Sequence, residues 1–218
     1  MDKPSPMKHW FLRSLLSLVC LSPVWAFAEQ PDFTLIPATP ELLESVKQGG
    51  YVLFLRHGPT DARQPDQVPV DLNDCATQRP LTEEGRELMV RIGHFIRQFE
   101  LPHDEIYTSP LCRAVETSQL VFPQHEITLD PNLIYVAALT SEEKIPIVAR
   151  TQALLSRPST PGSNRIVVAH GPNLVEVMEY FPVEGTLVIF RPDPENASFT
   201  YLGSVEPSLW PVLLKTKD

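Results

Sequence analysis

Basic residues are scarce in this 218-residue chain: 18 Lys and Arg stand against 27 Asp and Glu, giving a formal net charge of −9. A field of that sign repels polyanions at long range, which excludes non-specific nucleic-acid binding; an anionic ligand must be held by a local concentration of arginine. Glycine is scarce as well, with 9 residues against 23 prolines, and no internal repeat or low-complexity tract occurs. Collagen-like, coiled-coil and wholly disordered organisations are thereby excluded. No apolar run reaches the roughly 20 residues that a membrane-spanning helix needs. The longest near the N-terminus, Leu15 to Val24, is broken by Ser17, Ser22 and Pro23. What is present, 43% hydrophobic and 21% charged residues, is the balance of a soluble globular domain with a sizeable core.

The first 28 residues read differently from the rest. Lys3, Lys8 and Arg13 form a positive leader, a short apolar stretch follows, and Ala26-Phe27-Ala28 offers small residues around a cleavage point before Glu29. This is the pattern of a secretory signal peptide over residues 1–28. A lipoprotein reading through Cys20 is disfavoured by bulky Val19 just before it. The expectation is a periplasmic or secreted protein whose residues 29–218 form a single domain with no membrane span after cleavage. Cys75 and Cys112 remain in it, able to pair in an oxidising compartment or to stay as two buried thiols.

Thr39-Pro40-Glu41 and Gly49-Gly50 bracket a short helix. Tyr51 to Leu55 is a continuous apolar run, as a strand covered on both faces requires. Residues 58–80, with Pro59, Pro65, Pro69 and Pro80, form a long irregular loop of the kind that tends to be functional. Leu88, Ile92, Phe95, Ile96 and Phe99 mark one face of a helix beginning at Thr82. A short strand spans Glu105 to Thr108, and Ser109-Pro110 opens a helix to about Phe122. Thr140 and Glu143 supply a capping box for a helix to about Ser156. Ile166 to Ala169 reads as a buried strand, followed by a short helix from about Asn173 to Phe181. Thr186 to Arg191 and Ser198 to Val205 then form a β-hairpin. The alternation predicts an α/β fold, a three-layer sandwich with a mostly parallel central sheet flanked by helices and a C-terminal β-hairpin.

Ligands of such sheets collect at the carboxyl ends of the strands. Three strand ends carry Arg56-His57-Gly58, the segment SPLCRAVET with Arg113, and His170-Gly171. Arginines bind phosphoryl oxygens in bidentate fashion, a helix N-terminus beside Arg113 would add backbone N–H groups, and a neutral imidazole has a lone pair to attack phosphorus. His170 could donate a hydrogen bond to the transferring group. Two histidines are too few for a zinc site without carboxylates, and Arg56 would repel a cation, so no metal is expected. Taken singly, each of these residues also suits a packing or capping role; the ordered set is what carries the functional reading.

LRHGPT (Leu55 to Thr60), SPLCRAVETS (Ser109 to Ser118) and VVAHG (Val167 to Gly171) resemble the three signatures of the histidine phosphatase superfamily, the phosphoglycerate mutase-like fold. The resemblance spans about residues 50–205. It implies His57 as the phosphorylated nucleophile, Arg56 and Arg113 as ligands of the phosphoryl oxygens, and His170 as completing the pocket. DCATQRPLTEEGR and the tail FPVEGTLVIFRPD…GSVEPSLW are similar to an exported bacterial subgroup of that superfamily. Arg79 becomes a substrate-binding candidate, its alternative being a surface residue that caps the following helix. A family-like topology would also fold the Cys75 loop over the helix start carrying Cys112, so a bridge between them is expected.

The pattern departs from the family at the general acid. The stretch DPNLIYV, where mutases carry a Glu, has Asn132 and Tyr135 instead, and Gly171 stands where phytase-like members have Asp. Asp61, Glu116, Glu142, Glu143 and Glu184 are the carboxylates left to consider, with Glu184 preferred because it precedes the final hairpin. The resulting expectation is an exported, metal-independent histidine phosphatase, a phosphoric monoester hydrolase without cofactor. It would hydrolyse a phosphomonoester or phosphohistidine-type substrate through phospho-His57, with a phosphorylated small molecule, glycan or phosphoprotein as substrate. The alternative is a non-catalytic module of the cell envelope that binds an anionic ligand such as a phosphoglycan.

Overall fold

The computed structural model describes residues 33–215, together with Met1. The expected signal peptide, residues 1–28, lies outside these residues apart from Met1. The elements run α1 (Pro40–Val46), β1 (Val52–Arg56), α2 (Glu83–Gln98), β2 (His103–Thr108), α3 (Cys112–Val121), β3 (Thr128–Leu129), α4 (Ser141–Ser156), β4 (Asn164–Ala169), α5 (Gly171–Met178), β5 (Leu187–Asp193), β6 (Ser198–Val205) and α6 (Trp210–Lys215). Single 3₁₀ turns lie at Cys75–Thr77 and Pro131–Leu133.

Six strands form one sheet in the order β3-β2-β4-β1-β5-β6. The first four in that order run parallel, and β5 and β6 add an antiparallel hairpin beside β1. Strands β1 and β4 are buried along their whole length, because both faces of the sheet are covered and every side chain in the run must be accommodated in a core. Alternation divides those side chains. Leu53, Leu55, Ile166 and Val168 pack with α1, α2, α3 and α6, whereas Val52, Phe54, Val167 and Ala169 pack with Leu154, Leu155 and Leu174 of α4 and α5. This is the expected α/β sandwich.

Local signals account for the helix boundaries. Thr39 Oγ1 accepts from Leu42 N–H ahead of Pro40, and the Thr140–Glu143 capping box starts α4. Three details differ from the sequence reading. Helix α3 begins at Cys112 rather than at Ser109-Pro110, with extended Leu111 as its N-cap. The short strand β3 pairs with β2. The C-terminal helix α6 buries Trp210 against the rings of Phe95 and Phe99. Among the described residues no helix is long and apolar enough to cross a membrane.

Candidate active site

Strands β1 and β4 are parallel neighbours in register, with Arg56 opposite Ala169. The next residue on each is a histidine, so His57 and His170 emerge side by side at the carboxyl edge of the sheet, ring centroids 5.1 Å apart. His57 N–H donates to Ala169 O at 3.0 Å, which extends the ladder by one step and fixes the nucleophile candidate to the sheet. The His57 ring is held by Nδ1, 2.9 Å from Gly58 O. A carbonyl can only accept, so Nδ1 carries the proton and Nε2 of the neutral ring keeps its lone pair.

His170 is held by Ser109, whose Oγ accepts from Leu111 N–H at 3.3 Å and lies 2.8 Å from His170 Nε2. The hydroxyl either donates to Nε2, which puts the His170 proton on Nδ1, or accepts from Nε2–H with its second lone pair. Both rings are essentially inaccessible to solvent. Burial pushes both pKa values well below the ordinary histidine range. For His57 the Gly58 carbonyl opposes this and Arg113, Arg56 and Arg79 reinforce it; for His170 its partner His57 and the same three arginines add to burial. Both imidazoles are therefore neutral at pH 7.

The three arginines surround this pair. Arg56 donates through Nη1 to Pro182 O at 2.5 Å and lies with Cζ 4.5 Å from the Phe181 ring. Arg113, completely buried, donates through Nη1 to Asp66 Oδ1 at 2.8 Å and faces the Tyr135 ring at 5.7 Å. Burial lowers the pKa of both guanidiniums, opposed by Glu184 at Arg56 and by Asp66 at Arg113; arginine stays charged through shifts of this kind. Arg79, half-buried on the long loop, acts electrostatically on both histidines and both other arginines. It does not sit as a surface cap of α2: its Nε is buried, and α2 is capped by Thr82, whose Oγ1 accepts from Gly85 N–H.

Four guanidinium N–H donors converge here without a partner, Arg56 Nε, Arg79 Nε and Arg113 Nε and Nη2, and His170 Nδ1 is unpartnered beside them. Buried donors normally find acceptors, and leaving one unmet costs about 1–3 kcal/mol. The contrast with Arg165 is direct. That equally buried guanidinium gives its nitrogens to Glu105 and to the carbonyls of Leu154, Arg157 and Pro158. Arg165 is structural, whereas the cluster around His57 is built for an acceptor-rich ligand with several oxygens.

One expected feature is corrected. The backbone N–H groups thought free at Ser109-Pro110 are occupied: Leu111 N–H by Ser109 Oγ and Cys112 N–H by Gln78 Oε1 at 2.7 Å.

Glu184 accepts from Thr60 Oγ1 at 2.7 Å and from Thr60 N–H at 3.3 Å. Its Oε1 lies 3.6 Å from Arg56 Nη2 and 3.9 Å from His57 Nδ1. It approaches the ring from the Nδ1 side, whereas a leaving group departs from phosphorus on the side away from Nε2. Asp61 is held well below the usual carboxylate range by Arg63 and Gln64. Glu116 pairs with Arg86, and Glu143 completes its capping box. Among the described residues no group of three His, Cys, Asp or Glu could hold a metal ion.

The long loop is joined to the site. Cys75 and Cys112 form a disulfide with Cα atoms 5.7 Å apart, one residue from Arg113. Asp66 and buried Gln78, both of this loop, reach Arg113 and Cys112. Asp66 was not legible as a site residue in the sequence. A lone Asp in a proline-rich loop looks like any solvated carboxylate, and only the tertiary path brings it to Arg113.

The profile described as Histidine phosphatase superfamily (branch 1) matches residues 52–145, a span holding Arg56, His57, Arg79 and Arg113. The match likens this segment, 94 of the 218 residues, to that superfamily. Among solved structures, the protein histidine phosphatase SixA complexed with tungstate is 17% identical, covering 72% of this chain and 97% of its own with a TM-score of 0.50. This likeness concerns the fold. YhfR of Bacillus stearothermophilus is 21% identical over 72% of this chain and 98% of its own, with a TM-score of 0.48. Phosphoserine phosphatase from Entamoeba histolytica, in complex with 3-phosphoglyceric acid, is 16% identical over 72% and 96%, also at 0.48. No curated protein matches the chain.

Proposed function

We propose that this chain is an exported phosphatase that hydrolyses a phosphomonoester or phosphohistidine-type substrate in two in-line transfers through phospho-His57. The observation that carries the reading is the set of four unpartnered buried guanidinium donors around a neutral imidazole whose Nε2 lone pair is free. In the first transfer Nε2 attacks phosphorus, the bond to the leaving oxygen or nitrogen breaks, and the arginines, with His170 in the tautomer that carries its proton on Nδ1, bind the three equatorial oxygens. In the second, water attacks the phosphohistidine, inorganic phosphate leaves, and Nε2 regains its lone pair. Burial serves this chemistry, because a protonated His57 could not attack.

Metal independence belongs to the same proposal: three guanidiniums supply the charge compensation that a cation would otherwise bring. Export is supported by the N-terminal sequence pattern and by the Cys75–Cys112 bridge, which suits an oxidising compartment. A labile N–P or acyl phosphate leaves without strong acid assistance. A site whose nearest carboxylates are engaged by Thr60, Arg56 and Arg113 favours such a substrate, and the likeness to SixA, a protein histidine phosphatase, lies in the same direction.

The test is turnover of 4-nitrophenyl phosphate by the mature protein, with mass spectrometry after an acid-free quench. Phosphate is expected on His57, and His57→Ala should lose activity by several orders of magnitude. Phosphate on another residue would refute the mechanism. Binding of phosphate without turnover would return the site to an anion-binding module.

A further inference from the structure

Arg113 is the most deeply buried cation of the site, and a single side chain holds it. Asp66 Oδ1 accepts from Arg113 Nη1 at 2.8 Å and, with the same oxygen, from the Arg79 backbone N–H at 2.8 Å. The nitrogens left over on Arg113 are Nε and Nη2, both buried and both without a partner. These two form one edge of the guanidinium, the edge that meets a tetrahedral oxyanion with two parallel hydrogen bonds. A guanidinium free to turn about its side-chain bonds could present other nitrogens. With Nη1 tied, it has one orientation.

Asp66 is itself anchored by its loop. The Cys75–Cys112 disulfide and Gln78 Oε1 on Cys112 N–H fasten the loop to the start of α3, while Gln78 Nε2 on Asp71 O and the Thr60–Leu81 bridge tie the loop to itself. One carboxylate oxygen thus couples the backbone at Arg79 to the guanidinium of Arg113, two cations that act on the same pair of histidines.

We propose that Asp66 is a positioning residue of the phosphoryl site: it sets the Nε–Nη2 edge of Arg113 and the backbone at Arg79 so that both arginines converge on the anion. The proposal rests on the reading of this site as a phosphoryl pocket. It assigns Asp66 no proton transfer.

The experiment compares Asp66→Ala and Asp66→Asn in the mature, disulfide-bonded protein. Asparagine keeps a carbonyl oxygen able to accept from both N–H groups, and alanine keeps none. Calorimetry with inorganic phosphate and steady-state kinetics on 4-nitrophenyl phosphate are read together, with thermal melts confirming that each variant is folded. Alanine should weaken phosphate binding and raise KM by about 10- to 100-fold, the range of a lost charge-assisted pair, with kcat changed by less than about threefold. Asparagine should recover most of the lost affinity, even if alanine proves too unstable to measure.

Tighter phosphate binding in both variants would overturn the proposal, because Asp66 would then be competing with the anion for Arg113. An equal fall of kcat in both at unchanged KM would overturn it in favour of proton transfer. Wild-type affinity in both variants would leave Asp66 no part in the site. Wild-type protein that binds phosphate but hydrolyses nothing would refute the phosphatase reading while the affinity comparison still decides the role of Asp66. Wild-type protein that binds no phosphate overturns both.

Discussion

Removing the Cys75–Cys112 bridge perturbs stability and site geometry at once, and the structure allows both effects to be sized. The bridge joins residues separated by 37 positions. Cross-linking a loop of that length withdraws chain entropy from the unfolded state worth about 4 kcal/mol at 25 °C. For a domain of this size, that corresponds to a fall in Tm of about 8–16 °C in Cys75→Ser/Cys112→Ser. Because the uncrosslinked unfolded chain is more expanded, the urea m-value should rise in the double variant. The second effect is local. Without the bridge, the loop reaches the start of α3 through Gln78 on Cys112 and Asp66 on Arg113, so those polar contacts alone must hold Arg79 and Arg113 in place. Phosphate affinity should fall severalfold at a temperature where the variant is still folded. Urea denaturation of the oxidised wild type and the double variant, with phosphate titration of each, gives both numbers. A stability loss below about 1 kcal/mol with an unchanged m-value would refute the chain-entropy reasoning. Unaltered phosphate affinity would refute the view that the bridge holds the loop against the site.

Three further predictions concern the site. Because burial depresses the His57 and His170 pKa values well below the ordinary value, kcat on an aryl phosphate should stay level as pH falls through about 6.5; a break there would show an imidazole titrating normally. The same depression makes the unfolded chain the better proton acceptor below about pH 6.5, so conformational stability should be full above that pH and decline as pH drops toward the depressed folded values, as pH-dependent urea melts would show. Gly171→Ala places a Cβ 2.8 Å from Phe181 Cε2 and 3.2 Å from Arg56 Nη1; the exposed Phe181 ring can yield, Arg56 shifts with it, and kcat/KM should fall about 10- to 100-fold with little change in Tm, whereas wild-type kinetics would show that Arg56 need not be held closely. Glu184→Gln should slow aryl and alkyl phosphates alike by weakening its hold on Thr60 and Arg56; a loss confined to alkyl phosphates would instead make Glu184 the proton donor to the leaving group.

What could be read in advance was what is local or periodic. The two central strands announce themselves as unbroken apolar runs because both faces of the sheet are covered, and the Thr140–Glu143 box fixes the start of α4 within four residues of chain. His57 and His170 were legible because each directly follows such a run. Helix α3 begins later than its Ser-Pro signal: the Ser109 hydroxyl takes Leu111 N–H and also meets His170, and the chain stays extended through Leu111 before the helix starts at Cys112. Helix α6, six residues long with Pro211 at its second position, is too short to show a period and owes its place to the burial of Trp210. Asp66 and Gln78 were invisible for a different reason. Their partners lie 47 and 34 residues away, and no spacing rule links a loop carboxylate to a helix that distant.

The in-register junction of β1 and β4 has a consequence for how the chain tolerates insertions and deletions. Side chains of a strand alternate faces, so removing one residue anywhere in Val52–Arg56 would exchange the two cores of the sheet along that strand and move His57 out of step with Ala169. No shift of one position could preserve packing while sparing the reaction, or the reverse. Point substitutions can vary the pocket, but the spacing between the apolar run and its histidine is fixed by the pleat. Length changes should therefore accumulate at the β5–β6 turn, where neither strand register nor the histidine pair feels them.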